Sequence, residues 1–115
     1  ITLWNDLDYL FIDLPPGTGD IQLTLVQKIP LTAAIVVTTP QNVATLDAQK
    51  AITMFAKTGI DVLGIVENMS THLCSECGHQ EAIFGSGGAE TLSASHQCTL
   101  LGQLPLNGQI REQCD

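Results

Sequence analysis

Cys74-Ser-Glu-Cys77-Gly78-His79 is the densest group of chemically capable side chains in the sequence. Two thiolates separated by two residues can grip one metal ion or two irons of a cluster, and Gly78 lets the chain turn so that its amides face the sulfurs. One pair does not close a site, because zinc and four-iron clusters both usually take four ligands. His72 and His79 can supply the other two within one chain, making a small zinc knuckle. Two chains about a two-fold axis can instead pool four thiolates round one bridging cluster. A redox dithiol is the third chemistry open to this spacing, although the thioredoxin-like strand-to-helix context is missing. Cys98 and Cys114 lack partners at ligand spacing and are expected to be buried or incidental thiols.

The second reactive stretch is Asp8-Tyr-Leu-Phe-Ile-Asp13-Leu-Pro-Pro-Gly-Thr-Gly-Asp20. Tyr9 to Ile12 are apolar without polar alternation, the pattern of a parallel strand covered on both faces. That places Asp13 at a strand's carboxyl end, where α/β sheets bind ligands and where an acid can hold the water shell of Mg²⁺ on a nucleotide phosphate. Pro15 and Pro16 end the ladder, and Gly17 and Gly19 let backbone amides approach a phosphate. The competing reading is a tight strand-to-helix turn in which the acid caps a helix. Asn68 follows another apolar run, and its amide can pair with donor and acceptor positions of a purine edge or simply make a turn.

These groups need a sheet to hold them. Besides Tyr9 to Ile12, strands are expected over Ala33 to Val37, Val62 to Val66 and Leu100 to Leu104. A helix capped by Asp20 is expected to run to about Lys28, with Ile21, Leu25 and Val26 inward and Pro30 stopping it. A second is expected from about Val43 to Lys57, with Ala44, Ala48, Ala51 and Phe55 on one face, Asp47 and Lys50 outward, and Gly59 closing it. Trp4 is expected to pack. Alternating strands and helices joined by right-handed crossovers predict a mostly parallel α/β sheet.

The 115 residues, 44% of them hydrophobic, can build a core, and no apolar run is as long as a membrane span. A formal charge of -8 argues against capture of nucleic acid or anionic lipid. A cytoplasmic protein is the expectation. The chain starts at Ile1 and contains no Gly-x-x-x-x-Gly-Lys-Ser/Thr loop, so it reads as the C-terminal part of a single domain, incomplete at its N-terminus, with the cysteine loop at about residues 70–85.

The Asp8 to Asp20 run resembles the Walker B and switch II segment of the Mrp-type iron-sulfur cluster carriers, P-loop ATPases related to ParA and MinD, with Phe11 in one aliphatic place. The similarity extends from Asp6 to about Glu112, through Thr38-Thr39-Pro40-Gln41, Gly64-Ile-Val-Glu-Asn-Met-Ser70 and Gly102-Gln-Leu-Pro-Leu106. It implies a P-loop NTPase fold and ATP hydrolysis with Mg²⁺, Asp13 being catalytic and Pro15, Pro16 and Gly17 forming the switch loop. Asn68 and Pro105 are implied to lie at adenine, and Cys74 and Cys77 to bind a 4Fe-4S cluster across a homodimer for delivery to apo iron-sulfur clients. The Walker A loop would lie upstream, leaving these residues alone without hydrolysis. Gly85-Ser-Gly-Gly88 resembles the family's turn into the next helix rather than a phosphate loop. Two rivals remain: a ParA/MinD-like positioning ATPase cycling on DNA or membrane, and a zinc-stabilised, non-catalytic binding module.

Overall fold

The computed structural model describes residues 3–114. In chain order the elements are α1 (Asp20–Lys28), β1 (Ala34–Thr38), α2 (Asn42–Thr58), β2 (Val62–Glu67), β3 (His72–Leu73), β4 (Gln80–Glu81), α3 (Gly88–His96), β5 (Leu100–Gln103) and α4 (Gly108–Cys114). β1, β2 and β5 form a parallel sheet in the order β1-β2-β5, and β3 and β4 form a separate antiparallel ribbon. The α/β class with a parallel sheet is as the sequence predicts.

α2 and α3 lie against one face of the sheet, and α1 packs against α2. Val36 and Ile65, paired in the β1-β2 register, join Ala48, Ile52 and Phe55 of α2 and Ala89 and Leu92 of α3 in the buried core, with Val26 of α1. Removing these side chains from water is the main favourable term holding the layers together. Ile35, Val37 and Leu101 lie 47%, 63% and 48% exposed, so apolar surface of the sheet stays open to solvent. Gly64 sits in β2 because a Cβ there would strike the Thr99 carbonyl oxygen and the Leu101 side chain of the neighbouring β5 segment.

Four expectations need correcting. Residues 9–12 form no strand; Tyr9 and Phe11 are 81% and 85% exposed and stack on each other with ring centroids 6.4 Å apart. An apolar run becomes a strand only when a neighbour accepts and donates its ladder hydrogen bonds, and none of the described strands lies beside this one. Asp13 therefore ends no strand here. Trp4 is exposed rather than packed. On α1 the inward residues are Gln22 and Val26, one helical turn apart, while Ile21 points to solvent. Asp20 is the first helical residue rather than the cap; Gly19 holds the cap position without a side-chain bond, and Asp20 contributes only its charge to the first turn. The Asp47–Lys50 pair is exposed on α2, as its spacing suggests.

Candidate functional site

The two cysteines sit at the tip of the β3-β4 hairpin, whose strands pair His72 with Glu81 and Leu73 with Gln80. The Cys74 N–H donates to the His79 carbonyl at 2.9 Å, and the Gly78 N–H donates back to the Cys74 carbonyl at 2.9 Å. Gly78 takes φ 71°, a conformation that costs other residues strain, and so closes the turn. Both thiols are free, Cys74 half-buried and Cys77 exposed. The backbone N–H of Cys77, then that of Glu76, then the Cys77 thiol hold the Cys74 thiol below its ordinary pKa, against a smaller opposing effect of burial. Amides aimed at a sulfur favour its thiolate, the form that ligates soft metals.

A pair of closely spaced cysteines on an exposed turn, Cys74 with its thiolate form favoured, fits an iron-sulfur cluster or a zinc ion sharing ligands with a second body. Among the described residues no three His, Cys, Asp or Glu side chains gather into a metal site, so His72 and His79 do not complete a knuckle with the pair. Cys98 packs half-buried against the core and Cys114 is exposed on α4.

The base of the hairpin is fastened to the sheet's carboxyl edge. Beyond β2 and β5 the two chains continue side by side: Leu104 N–H donates to the Glu67 carbonyl at 2.8 Å, Ser70 N–H to the Leu104 carbonyl at 3.0 Å, and Leu106 N–H to the Thr71 carbonyl at 2.7 Å. His72 and Leu106 form a parallel bridge at the end of this run. Asn68 and Pro105 are thereby brought onto neighbouring segments, with the cysteine hairpin directly beyond them. The Asn68 N–H donates to the Thr38 carbonyl at 2.7 Å, tying β1 to the same edge. Its Oδ1 accepts the Met69 N–H at 2.9 Å, and Met69 takes φ 55°, unusual for a residue with a side chain.

Asp13, Pro15, Pro16 and Gly17 lie on an exposed loop that leads into α1. The loop is held by Gln22, a buried residue whose Nε2 donates to the Pro16 carbonyl at 2.9 Å and the Pro15 carbonyl at 3.2 Å. Gly17 takes φ 96°. Those bonds attach the loop to α1, not to the Asn68 edge. Sequence reasoning missed Gln22, whose signal was a polar residue one turn before Val26 on the helix's inward face.

It also missed Glu67, 1% exposed at the end of β2. Its Oε2 accepts the Ala89 N–H at 2.9 Å and its Oε1 accepts Gln103 Nε2 at 2.8 Å. Strand alternation puts position 67 on the inward face with Ile65, which was the available clue. An open concavity of about 470 Å³ between α1 and α2, lined by Leu23, Leu46, Lys50 and Met54 among others, contains none of the expected site residues.

Comparison with known proteins adds to this geometry. Residues 1–115 match a family described as ParA, NUBPL iron-transfer P-loop NTPase. The chain is 63% identical over 114 residues, 99% of its length, to the iron-sulfur cluster carrier protein of Escherichia coli strain K12, covering 31% of that relative. It is 47% identical over 112 residues, 97% of its length, to the iron-sulfur cluster transfer protein NUBPL of Mus musculus, covering 35%. The chain thus spans about a third of the length of these curated relatives. A solved nucleotide-binding protein from Archaeoglobus fulgidus, in complex with ADP, superposes with a TM-score of 0.80 at 41% identity, over 93% of this chain and 44% of that one.

Proposed function

Because this chain belongs to the ParA-type family of NUBPL iron-transfer P-loop NTPases, we propose that it is the C-terminal part of an ATPase domain that carries a 4Fe-4S cluster and delivers it to apo iron-sulfur proteins. The observation that carries the reading is the placement of Cys74 and Cys77: a thiolate-favouring turn fastened by its base to the sheet edge that bears Asn68 and Pro105. The relatives' names supply the cargo class, and the ADP complex of the structural neighbour supports nucleotide binding by a fold of this kind.

The hypothesised cycle assigns each group one task. Cys74 and Cys77 of two subunits donate four thiolates to one cluster bridging a homodimer. Asp13 would hold the water shell of a Mg²⁺ bound with ATP, an ion that would supply charge neutralisation at the phosphates, and the backbone N–H groups of the Pro15 to Gly19 loop, which begin at Gly17 because the two prolines have none, would follow the terminal phosphate. Asn68 and Pro105 hold the adenine. ATP binding and hydrolysis change how the subunits meet, and ligands at an interface release cargo without unfolding either chain. The phosphate-binding Walker A loop comes from the part of the domain outside these 115 residues, and the cytoplasm is the compartment we assign. Among the described residues no helix is long and apolar enough to cross a membrane.

The test uses the intact ATPase, cluster-loaded without oxygen and mixed with an apo 4Fe-4S enzyme, with and without Mg-ATP. Client activity should appear, respond to ATP, and vanish when Cys74→Ala and Cys77→Ala are combined. A wild-type protein that activates no client under either condition would remove the carrier reading.

A further inference from the structure

Glu67 is a buried carboxylate to which the proposed cycle gives no task. Burying a charged group is costly unless hydrogen bonds replace its water, and here they do. Both carboxylate oxygens accept, one from the Ala89 N–H at the start of α3 and one from Gln103 Nε2 at the end of β5. Its own carbonyl accepts the Leu104 N–H. Gln103 Nε2 also donates to Glu90 Oε1 at 2.7 Å, so a second acid from α3 closes the arrangement. One side chain therefore fixes the ends of β2 and β5 and the beginning of α3 relative to each other. The residues on either side of that junction are Asn68 and, two positions beyond Gln103, Pro105.

We propose that Glu67 is a positioning residue for the nucleotide base, holding Asn68 and Pro105 in one geometry so that adenine is preferred over guanine. The proposal rests on the assignment of Asn68 and Pro105 to the base. Its chemistry follows from the Asn68 amide. With Oδ1 turned to the Met69 N–H, Nδ2 is left to donate outward, and the oxygen keeps a second lone pair. Adenine presents an acceptor, N7, beside a donor, the N6 amino group, whereas guanine presents two acceptors, N7 and O6. A fixed amide can satisfy both positions of adenine but meets guanine with oxygen against oxygen. An amide free to shift keeps only the donor contact to N7, which both bases share, and loses the distinction. Rigid attachment of residue 68 is thus what turns an amide into a selective one.

Glu67→Gln keeps the shape but sets an NH₂ group against a donor, either the Ala89 N–H or the Gln103 amide. A carboxylate can be restored to the junction from the other strand by combining Glu67→Gln with Gln103→Glu, and with Glu90→Gln so that no acid faces the new carboxylate. Dissociation constants for ATP and for GTP, each with Mg²⁺, are measured by calorimetry on the intact ATPase, its Glu67→Gln, Asn68→Ala and triple variants, with a thermal melt of each. The expected result is an ATP-over-GTP preference reduced about tenfold in Glu67→Gln through weaker ATP binding, the size of a lost charge-assisted contact, and recovered in the triple variant. A general loss of structure would weaken both nucleotides alike and leave the ratio unchanged. If Asn68→Ala collapses the ratio while folded Glu67→Gln keeps it, the positioning role is wrong and the base assignment stands. If Asn68→Ala also keeps the wild-type ratio, the base assignment fails and takes the positioning role with it. Should Glu67→Gln not fold, a folded triple variant decides: a wild-type ratio supports the role, and a lost ratio overturns it.

Discussion

Two stretches of this chain follow one pattern, an apolar run ending in an acid: Tyr9-Leu-Phe-Ile-Asp13 and Val62-Leu-Gly-Ile-Val-Glu67. Their fates differ completely. The second is a central strand whose Ile65 is fully buried and whose Glu67 is 1% exposed with both oxygens bonded. The first has no ladder partner among the described strands, its aromatic rings stand in solvent, and Asp13 is exposed. An apolar run states a demand for neighbours. Whether it becomes a strand depends on whether β1 and β5, or anything like them, lies alongside.

That contrast is sharpest in stability. Ile65→Ala should lower the unfolding free energy of the 115-residue chain by about 2–5 kcal/mol, the usual cost of emptying a core site, whereas Phe11→Ala should change it by less than about 0.5 kcal/mol. Urea unfolding followed by circular dichroism measures both. Equal losses would break the comparison by placing Phe11 in a core. In the longer protein proposed above the two values should converge, since the proposed upstream half would supply residues 9–12 with sheet neighbours.

Gly88→Ala probes the well-partnered region at its junction with α3. A Cβ at residue 88 would lie 2.5 Å from the Pro40 carbonyl oxygen, and the backbones would have to separate at a cost of about 1–3 kcal/mol. An unchanged melting temperature would mean that the contact gives way freely.

Gln22→Ala is the corresponding cut in the poorly partnered region. Removing the side-chain amide bonded to the Pro15 and Pro16 carbonyls should cost about 1 kcal/mol. The larger consequence is local, with limited proteolysis expected to speed up between residues 13 and 19. Cleavage at the wild-type rate would show that the loop owes its shape to something other than Gln22.

The smallest effect concerns the cysteine turn. The amides of Cys77 and Glu76 lower the Cys74 pKa in the folded chain, so its alkylation by iodoacetamide should reach half its maximal rate at lower pH than in urea-unfolded protein. The linkage has a definite sign: the folded form is favoured above the unfolded thiol's pKa, and this contribution is lost as pH falls through the lowered folded value. Coincident profiles would mean that the amides do not face the sulfur.

Sequence alone was sufficient for β1, β2, β5 and α2, because their apolar periods and the stops at Pro40, Gly59 and Pro105 agree with one another. It marked Cys74 and Cys77 as the metal-capable pair through spacing. The β3-β4 ribbon was not legible: His72-Leu73 and Gln80-Glu81 carry no alternation, and their pairing is imposed by the Gly78 turn and the bridge to Leu106. Glu67 and Gln22 were passed over for a related reason, since a polar residue on an inward face declares itself only when the donors and acceptors it meets are known. The strand expected at 9–12 failed in the opposite direction, its local pattern being sound and its partners missing.

The most direct test of the carrier account is iron, sulfide and zinc content per chain of the intact protein isolated without oxygen, beside the combined Cys74→Ala and Cys77→Ala variant. The account predicts about four irons and four sulfides for every two chains, and neither in the variant. About one zinc per chain with no sulfide would contradict it and make the cysteine turn a structural metal site.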